Sequence, residues 1–216
     1  MQHFEYVTKR QAAPAKQALI AMIHEVQAIL RSSFTFRYDF IGSSSRNMIT
    51  RGINSNIGFD FDINIEVNAD DEQYSPKKIR EMLKNAFDRV SPPYGYSPAE
   101  QSTRVLTIKF KDCSHARILH SCDIAVVRNY LDDDGDEYQE YIHFDKKSRQ
   151  YLWEERSGGY YQLAEKEEWI KENNLQTELK KWYLCKKNTN TDPHSHSRTI
   201  YAIAVHEICQ KYGYFD

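Results

Sequence analysis

The sequence predicts an α+β fold: a mixed, mostly antiparallel sheet with flanking helices, followed by a helical C-terminal part. Three observations carry that prediction. Apolar residues recur with period two in FTFRYDFI (34–41) and FDFDINIEV (59–67), as in half-buried strands. Stretches with helical spacing stand before the first of those strands and after the second. From Leu163 onward only helical spacing remains. The expected organisation is a sheet-rich domain over residues 1–158 and a helical subdomain over residues 159–216 packed on it.

The elements follow in order. Ala15 to Ser33 reads as a helix, because Leu19, Met22, Ile23, Val26 and Leu30 form one apolar stripe. Pro14 suits its first turn. In the next stretch Phe34, Phe36, Tyr38 and Phe40 alternate with Thr35, Arg37 and Asp39, a strand that stops at Gly42-Ser43. The polar SSRNMITRGINSN (44–56) reads as a loop or a short helix and turn. In FDFDINIEV the residues Phe59, Phe61, Ile63, Ile65 and Val67 share one face, and Asp60, Asp62, Asn64 and Glu66 the other.

A second helix starts at Ser75 as N-cap with Pro76 at the first position, and Ile79, Met82, Leu83 and Phe87 mark its inner side. SPPYGYSP is a loop. RVLTIKF and ARILHSCDIAVV read as strands paired through KDCSH. LDDDGDE is a turn, and YQEYIHF with RQYLWEE a hairpin. Trp169 and Ile170 mark one helix, and Leu179, Trp182, Tyr183 and Leu184 another. The last contains Ile200, Ala204 and Ile208 and stops at Gly213, a glycine C-cap.

Composition narrows the function. The 216 residues carry a net charge of -2, so the chain as a whole is no polycation for nucleic acid or anionic membrane, and any phosphate binding is local. The four cysteines Cys113, Cys122, Cys185 and Cys209 form no CxxC pair, which argues against a zinc ribbon and for reduced thiols in a cytoplasmic protein. MQHFEYVTKRQ lacks an apolar signal core, and no stretch is long enough to span a membrane.

The chemistry rests on acids. Asp60 and Asp62 project from one face roughly 6.6 Å apart along a strand. Two carboxylates that close repel unless a proton or a cation lies between them. Mg²⁺ suits such a site, completing its shell with waters and substrate phosphates. The plainer reading is the solvated face of an edge strand. Asp123 stands in LHSCDIAVV, the most apolar strand of the chain, where a lone acid is expensive to bury unless it is hydrogen-bonded, paired or metal-bound. Gly42-Ser43 lies where a strand turns into a polar loop, a place where backbone N–H groups and a hydroxyl can hold phosphate. Asp132, Asp133, Asp134 and Asp136 surround Gly135 and read as a solvated turn.

The sequence of helix, strand, Gly-Ser, polar spacer, Asp-x-Asp strand, helix and a later strand with one more Asp resembles the polymerase-beta-like nucleotidyltransferase superfamily. FIGS (40–43), FDFDI (59–63) and CDIAV (122–126) match its hG-[GS], [DE]-h-[DE] and third-acid signatures in order, across roughly residues 15–130. The helical tail is similar to the oligoadenylate-synthetase and cyclic-dinucleotide-synthase-like branch. The resemblance implies a catalytic palm sheet with Asp60, Asp62 and Asp123 as metal ligands and catalytic residues, Asp123 also helping to deprotonate the attacking hydroxyl. It implies that Ser43 and the Gly42 backbone hold the β- and γ-phosphates of an incoming nucleoside triphosphate. Arg46 is close enough to Gly42-Ser43 to touch a phosphate.

HEICQ (206–210) begins like a zinc-protease helix, but Gln210 replaces the second histidine. His194 and His196 read as a solvated loop. Lys180, Lys181, Lys186 and Lys187 surround an aromatic pair and fit either a triphosphate or RNA backbone, or the wet side of an amphipathic helix. Tyr201 fits base stacking or core packing.

The expected function is a Mg²⁺- (or Mn²⁺-) dependent nucleotidyltransferase that moves an NMP from an NTP to an acceptor hydroxyl and releases pyrophosphate. The acceptor is a nucleotide, an RNA end, a small molecule or a protein hydroxyl. The alternatives are a catalytically silent nucleotide- or RNA-binding sensor module, and a plain structural domain with an acidic edge strand.

Overall fold

The computed structural model describes residues 3–53, 57–112, 114–115, 117–192 and 195–214. Cys113, His194 and the end of the polar spacer, residues 54–56, lie outside them. Strand β1 (His3–Tyr6) is followed by α1 (Lys9–Leu30), β2 (Thr35–Ile41), the single turn α2 (Gly42–Ser45), β3 (Thr50–Ile53), β4 (Ile57–Asn68) and α3 (Pro76–Val90). A 3-10 turn at Pro92–Tyr94 leads to β5 (Glu100–Gln101), β6 (Val105–Asp112), β7 (Arg117–Leu131), β8 (Glu137–Asp145) and β9 (Gln150–Glu155). Helices α4 (Gly158–Glu172), α5 (Gln176–Thr189) and α6 (Ser197–Tyr212) follow. They group into two compact units, Val7–Glu155, and Met1–Tyr6 with Arg156–Asp216.

In the first unit the sheet runs β2-β4-β7-β6-β5, with β8 pairing β7 and β9 pairing β8. Strands β4 and β7 are parallel; the other pairs are antiparallel. The sheet is mixed and mostly antiparallel, as the sequence predicts. Its apolar face carries Phe61, Ile63 and Ile65 of β4, Cys122, Ile124 and Val126 of β7, and Leu106 and Ile108 of β6. Leu19, Met22, Ile23, Val26 and Leu30 of α1 close over that face together with Ile79, Leu83 and Phe87 of α3. Each such side chain contributes about 1.5–3 kcal/mol on burial.

Helix α1 begins at Lys9, six residues before the expected Ala15. Thr8 and Gln11 form a capping box: the Gln11 N–H donates to Thr8 Oγ1 at 3.2 Å, and the Thr8 N–H donates to Gln11 Oε1 at 2.9 Å. Two otherwise unpaired donors are satisfied at once, which outweighs the one intrahelical bond that Pro14 cannot donate. Pro14 therefore lies inside the helix, not in its first turn. The short strands β3 and β5 were not anticipated. Helix α3 starts as expected, with the Lys78 N–H donating to the Ser75 hydroxyl at 3.4 Å.

The inner side of α3 also carries Arg80, only 1% exposed. Its guanidinium donates to the carbonyls of Ser102 at 2.5 Å, Val105 at 2.8 Å and Ile142 at 3.4 Å. It also lies over the Tyr151 ring, 5.4 Å from the centroid. Carbonyl dipoles replace a carboxylate counter-ion, and burial lowers the arginine's pKa from its ordinary value. The arrangement ties the start of β6 to α3 and β8.

The second unit is helical. Ile170, Leu179, Tyr183, Ile200, Tyr201, Ala204, Val205, Ile208 and Cys209 are buried in it. Tyr201 packs edge-on against Tyr183, ring centroids 5.6 Å apart, so it serves the core. Asn188 of α5 grips the backbone of Phe4, its Oδ1 accepting the N–H at 2.6 Å and its Nδ2 donating to the carbonyl at 3.1 Å. Helix α6 ends at Gly213 in the left-handed conformation that a glycine C-cap takes. Among the described residues no helix is long and apolar enough to cross a membrane.

Candidate active site

The strict alternation of β4 turns its aspartates away from α1 and α3. Asp60 is exposed and Asp62 is half-buried on the opposite face of the sheet. The parallel neighbour β7 runs in register: Asp62 lies beside Asp123, and Asp60 beside Ser121. Three carboxylates from two adjacent strands thus share one face. The close approach of the two strands is marked at Gly58, where a Cβ would lie 1.8 Å from the Leu119 carbonyl oxygen.

The antiparallel strand β6 completes the row. Thr107 stands opposite Asp123, and Lys109 opposite Ser121. The Thr107 hydroxyl donates to Asp123 Oδ1 at 2.5 Å. The Ser121 hydroxyl donates to Asp60 Oδ1. Lys109 forms an ion pair with Glu100 of β5. Burial pushes the Asp123 carboxyl above its ordinary range, and the Asp60 charge adds to the rise; the Thr107 bond and Lys109 oppose it. Beside it, burial and the three aspartates hold the Cys122 thiol well above its ordinary pKa, so it is an inert core group.

Gly42 follows β2 with φ +63°, in the left-handed region. A Cβ there would lie 2.7 Å from Asp62 Oδ2, so the glycine backbone sits directly against that carboxylate. Ser43 is in the same turn, its carbonyl accepting the Met48 N–H at 2.8 Å. Arg46 closes the turn, its N–H donating to the Gly42 carbonyl at 3.4 Å. The structure therefore gathers Asp60, Asp62, Asp123 and Gly42, and Ser43 and Arg46 adjoin Gly42 along the chain.

The polar face of β4 continues past Asp62 as a chain of amides. Asn64 Nδ2 donates to Gln139 Oε1 at 3.5 Å, Gln139 Nε2 to Asn129 Oδ1 at 2.9 Å, and Asn129 Nδ2 to Glu66 Oε2 at 3.1 Å. Arg37 then grips both Glu66 oxygens at 2.6 and 2.7 Å. These bonds hold β4 firmly to its neighbours on the side where the acids lie.

Sequence reasoning missed Thr107, Ser121 and Lys109. Thr107 and Lys109 do alternate with Leu106, Ile108 and Phe110, a period-two signal that puts them on one face; only the strand register says that the face is that of the acids. The other candidates are placed elsewhere. Lys186 pairs with Glu207 at 2.7 Å, and Lys187 lies 4.4 Å from the centroid of the Phe4 ring. His196 caps α6. Asp132 organises its own turn by accepting the N–H groups of Asp134 and Asp136 at 3.0 and 2.8 Å. Cys122, Cys185 and Cys209 form no disulfide.

Among the described residues no group of three or more His, Cys, Asp or Glu is arranged to hold a metal ion by itself. The donor set is instead of the kind that suits Mg²⁺ arriving with a nucleotide. It is all oxygen and partly solvated, and substrate phosphates and waters can complete the shell.

No protein-family model matches the chain, and no curated protein matches it. Solved structures do. The chain is similar to the STING-associated CdnE c-di-GMP synthase from Capnocytophaga granulosa, at a TM-score of 0.58 and 16% identity over 96% of this chain and 63% of that one. It is similar to the GTP-bound form of DncV from Vibrio cholerae, at 0.57 and 14% over 80% of this chain and 44% of that one. It is also similar to the CD-NTase CdnG from Bradyrhizobium diazoefficiens in complex with GTP, at 0.51 and 16% over 84% and 43%. The chain thus spans between 43% and 63% of the length of these three structures. This likeness shows that the chain shares the fold of these structures.

Proposed function

We propose that the protein is a Mg²⁺- (or Mn²⁺-) dependent nucleotidyltransferase. It transfers an NMP from an NTP to an acceptor hydroxyl, with release of pyrophosphate. One observation carries the reading: Asp60, Asp62 and Asp123 share one sheet face, with Gly42 pressed against Asp62. The support from comparison is that two of the similar structures were determined with GTP bound.

Asp60, Asp62 and Asp123 would hold the magnesium, which when bound neutralises triphosphate charge. Ser43, the Gly42 backbone and Arg46 hold the β- and γ-phosphates. The acceptor oxygen bonds to the α-phosphorus, the bond from that phosphorus to the pyrophosphate oxygen breaks, and Asp123 helps to remove the hydroxyl proton. Such a transfer needs positioning and charge neutralisation more than covalent help from the protein; the rigid sheet face would supply the positioning, and the metal held there the neutralisation.

The test is incubation with Mg²⁺ or Mn²⁺ and each labelled NTP in turn, following pyrophosphate release, beside the Asp60→Ala/Asp62→Ala variant. Release from one NTP that the variant loses establishes the transferase and names its donor. A melting temperature raised by ATP, without release, means a missing acceptor or the silent binding module. Neither release nor a shift returns the aspartates to the solvated face of a strand.

A further inference from the structure

We propose that Thr107 is a positioning residue for this reaction, holding the Asp123 carboxylate in the orientation that receives the metal–nucleotide complex. The inference rests on the transferase reading and adds to it a residue from a third strand. The bond from Thr107 Oγ1 to Asp123 Oδ1 is 2.5 Å long, in the range of a charge-assisted hydrogen bond. Thr107 stands directly opposite Asp123 in the β6–β7 register, so the bond bridges two strands and does not depend on a loop.

Three features suit Thr107 to holding a carboxylate. Threonine is β-branched and stiff at χ1, so its hydroxyl is aimed by the backbone. The backbone before it is fixed in turn, because buried Arg80 holds the carbonyls of Ser102 and Val105. A hydroxyl also occupies only one acceptor site on Oδ1, and an ionised carboxylate offers about four such sites. Capacity remains on Asp123 for a cation. The Ser121 hydroxyl makes the corresponding bond to Asp60, but Asp60 is exposed and free to exchange partners with water. Asp123 is half-buried. Thr107 supplies a neutral donor where a second lysine would compete with the metal.

The experiment compares Thr107→Val, which keeps the shape and removes the donor, with Thr107→Ser, which keeps the donor. Free Mn²⁺ is titrated by electron paramagnetic resonance in the presence of a nucleoside triphosphate analogue that cannot be cleaved between its α- and β-phosphates, so that no turnover occurs, and melting temperature is recorded alongside. Thr107→Val is expected to weaken Mn²⁺ binding and to slow transfer by roughly 10–100-fold, as loss of a metal ligand's hydrogen-bond partner does. Thr107→Ser is expected to recover most of both. Thr107→Ala replaces the valine variant if that one does not fold. Wild-type Mn²⁺ affinity in the folded valine or alanine variant overturns the role of Thr107 alone. So does a serine variant as impaired as the valine one. A wild-type protein that binds no Mn²⁺ overturns the metal-dependent reading itself, and the inference with it.

Discussion

The Cα of Gly42 packs against the carboxylate of Asp62 so closely that a single added methyl group would lie 2.7 Å from Oδ2. Two separate penalties therefore meet at this position. With φ at +63°, an L side chain costs about 1–2 kcal/mol. The methyl also forces Asp62 away, and a displacement of about 1 Å can slow a positioned reaction roughly a hundredfold. Gly42→Ala is expected to lower the denaturation midpoint modestly and the rate of pyrophosphate release by about two orders of magnitude. A variant with wild-type turnover would separate Gly42 from the site.

Asp123 trades stability against chemistry. Its pKa is raised in the fold, first by burial and then by Asp60, so the native state binds a proton more readily than the unfolded chain does. Stability from this group is present at low pH and is lost as pH rises through the raised native value. Asp123→Asn removes that loss and keeps an oxygen for the Thr107 hydroxyl. The variant should melt higher than wild type in the absence of nucleotide and metal, with a larger gain at pH 7 than at pH 4, while transfer falls by at least about a hundredfold. Calorimetry at the two pH values, run beside the pyrophosphate assay, checks both halves.

His120 shows the opposite pH sign. Its ring stacks on Phe110 with centroids 4.8 Å apart and on Phe59 at 5.5 Å, and its Nε2 is 2.8 Å from the Tyr96 hydroxyl. Burial pushes its pKa down to about 4, from the ordinary 6.5. Between those values the unfolded chain takes up a proton that the native ring does not. The contribution is therefore full above about pH 6.5 and is lost as pH falls to about 4. His120→Phe should flatten that window. Urea unfolding at pH 7 and pH 5 should show wild type losing on the order of 1 kcal/mol more than the variant, a partly solvated ring giving less than the full shift. Equal losses would remove His120 as the source.

The elements with a strong period were legible in the sequence. The alternation of Phe59 to Val67 gave strand β4 and the shared face of its aspartates, because a pleated strand leaves side chains no other arrangement. The stripe from Leu19 to Leu30 likewise revealed the buried side of α1. Its start is set by the Thr8-x-x-Gln11 box, a local signal that competes in the sequence with Pro14, which equally suits a first turn. Strands of two or four residues, such as β5 and β3, carry too few positions for any period. The site divided along the same line. Asp60, Asp62, Asp123 and Gly42 were named from local pattern and resemblance. Thr107, Ser121 and Lys109 depend on which residue stands opposite which across β6, β7 and β4. That is a property of pairing, and no single stretch of sequence encodes it.

The parallel pairing of β4 with β7 also sets an order in time. Ser121 reaches Asp60 across 61 positions of chain, so the row of acids does not exist until β7 has been made and the intervening loop has closed. At ordinary synthesis rates of about 5–20 residues per second, β4 waits for several seconds with one long edge unpaired. An exposed edge rich in phenylalanine and isoleucine is a template for pairing with other chains, and charged side chains are a common means of discouraging it. During that interval Asp60, Asp62 and Glu66 are the charges on the waiting strand. Two of the carboxylates proposed to hold a metal ion in the finished protein are thus, in the nascent one, charges on an unpaired strand, where charge discourages pairing with other chains.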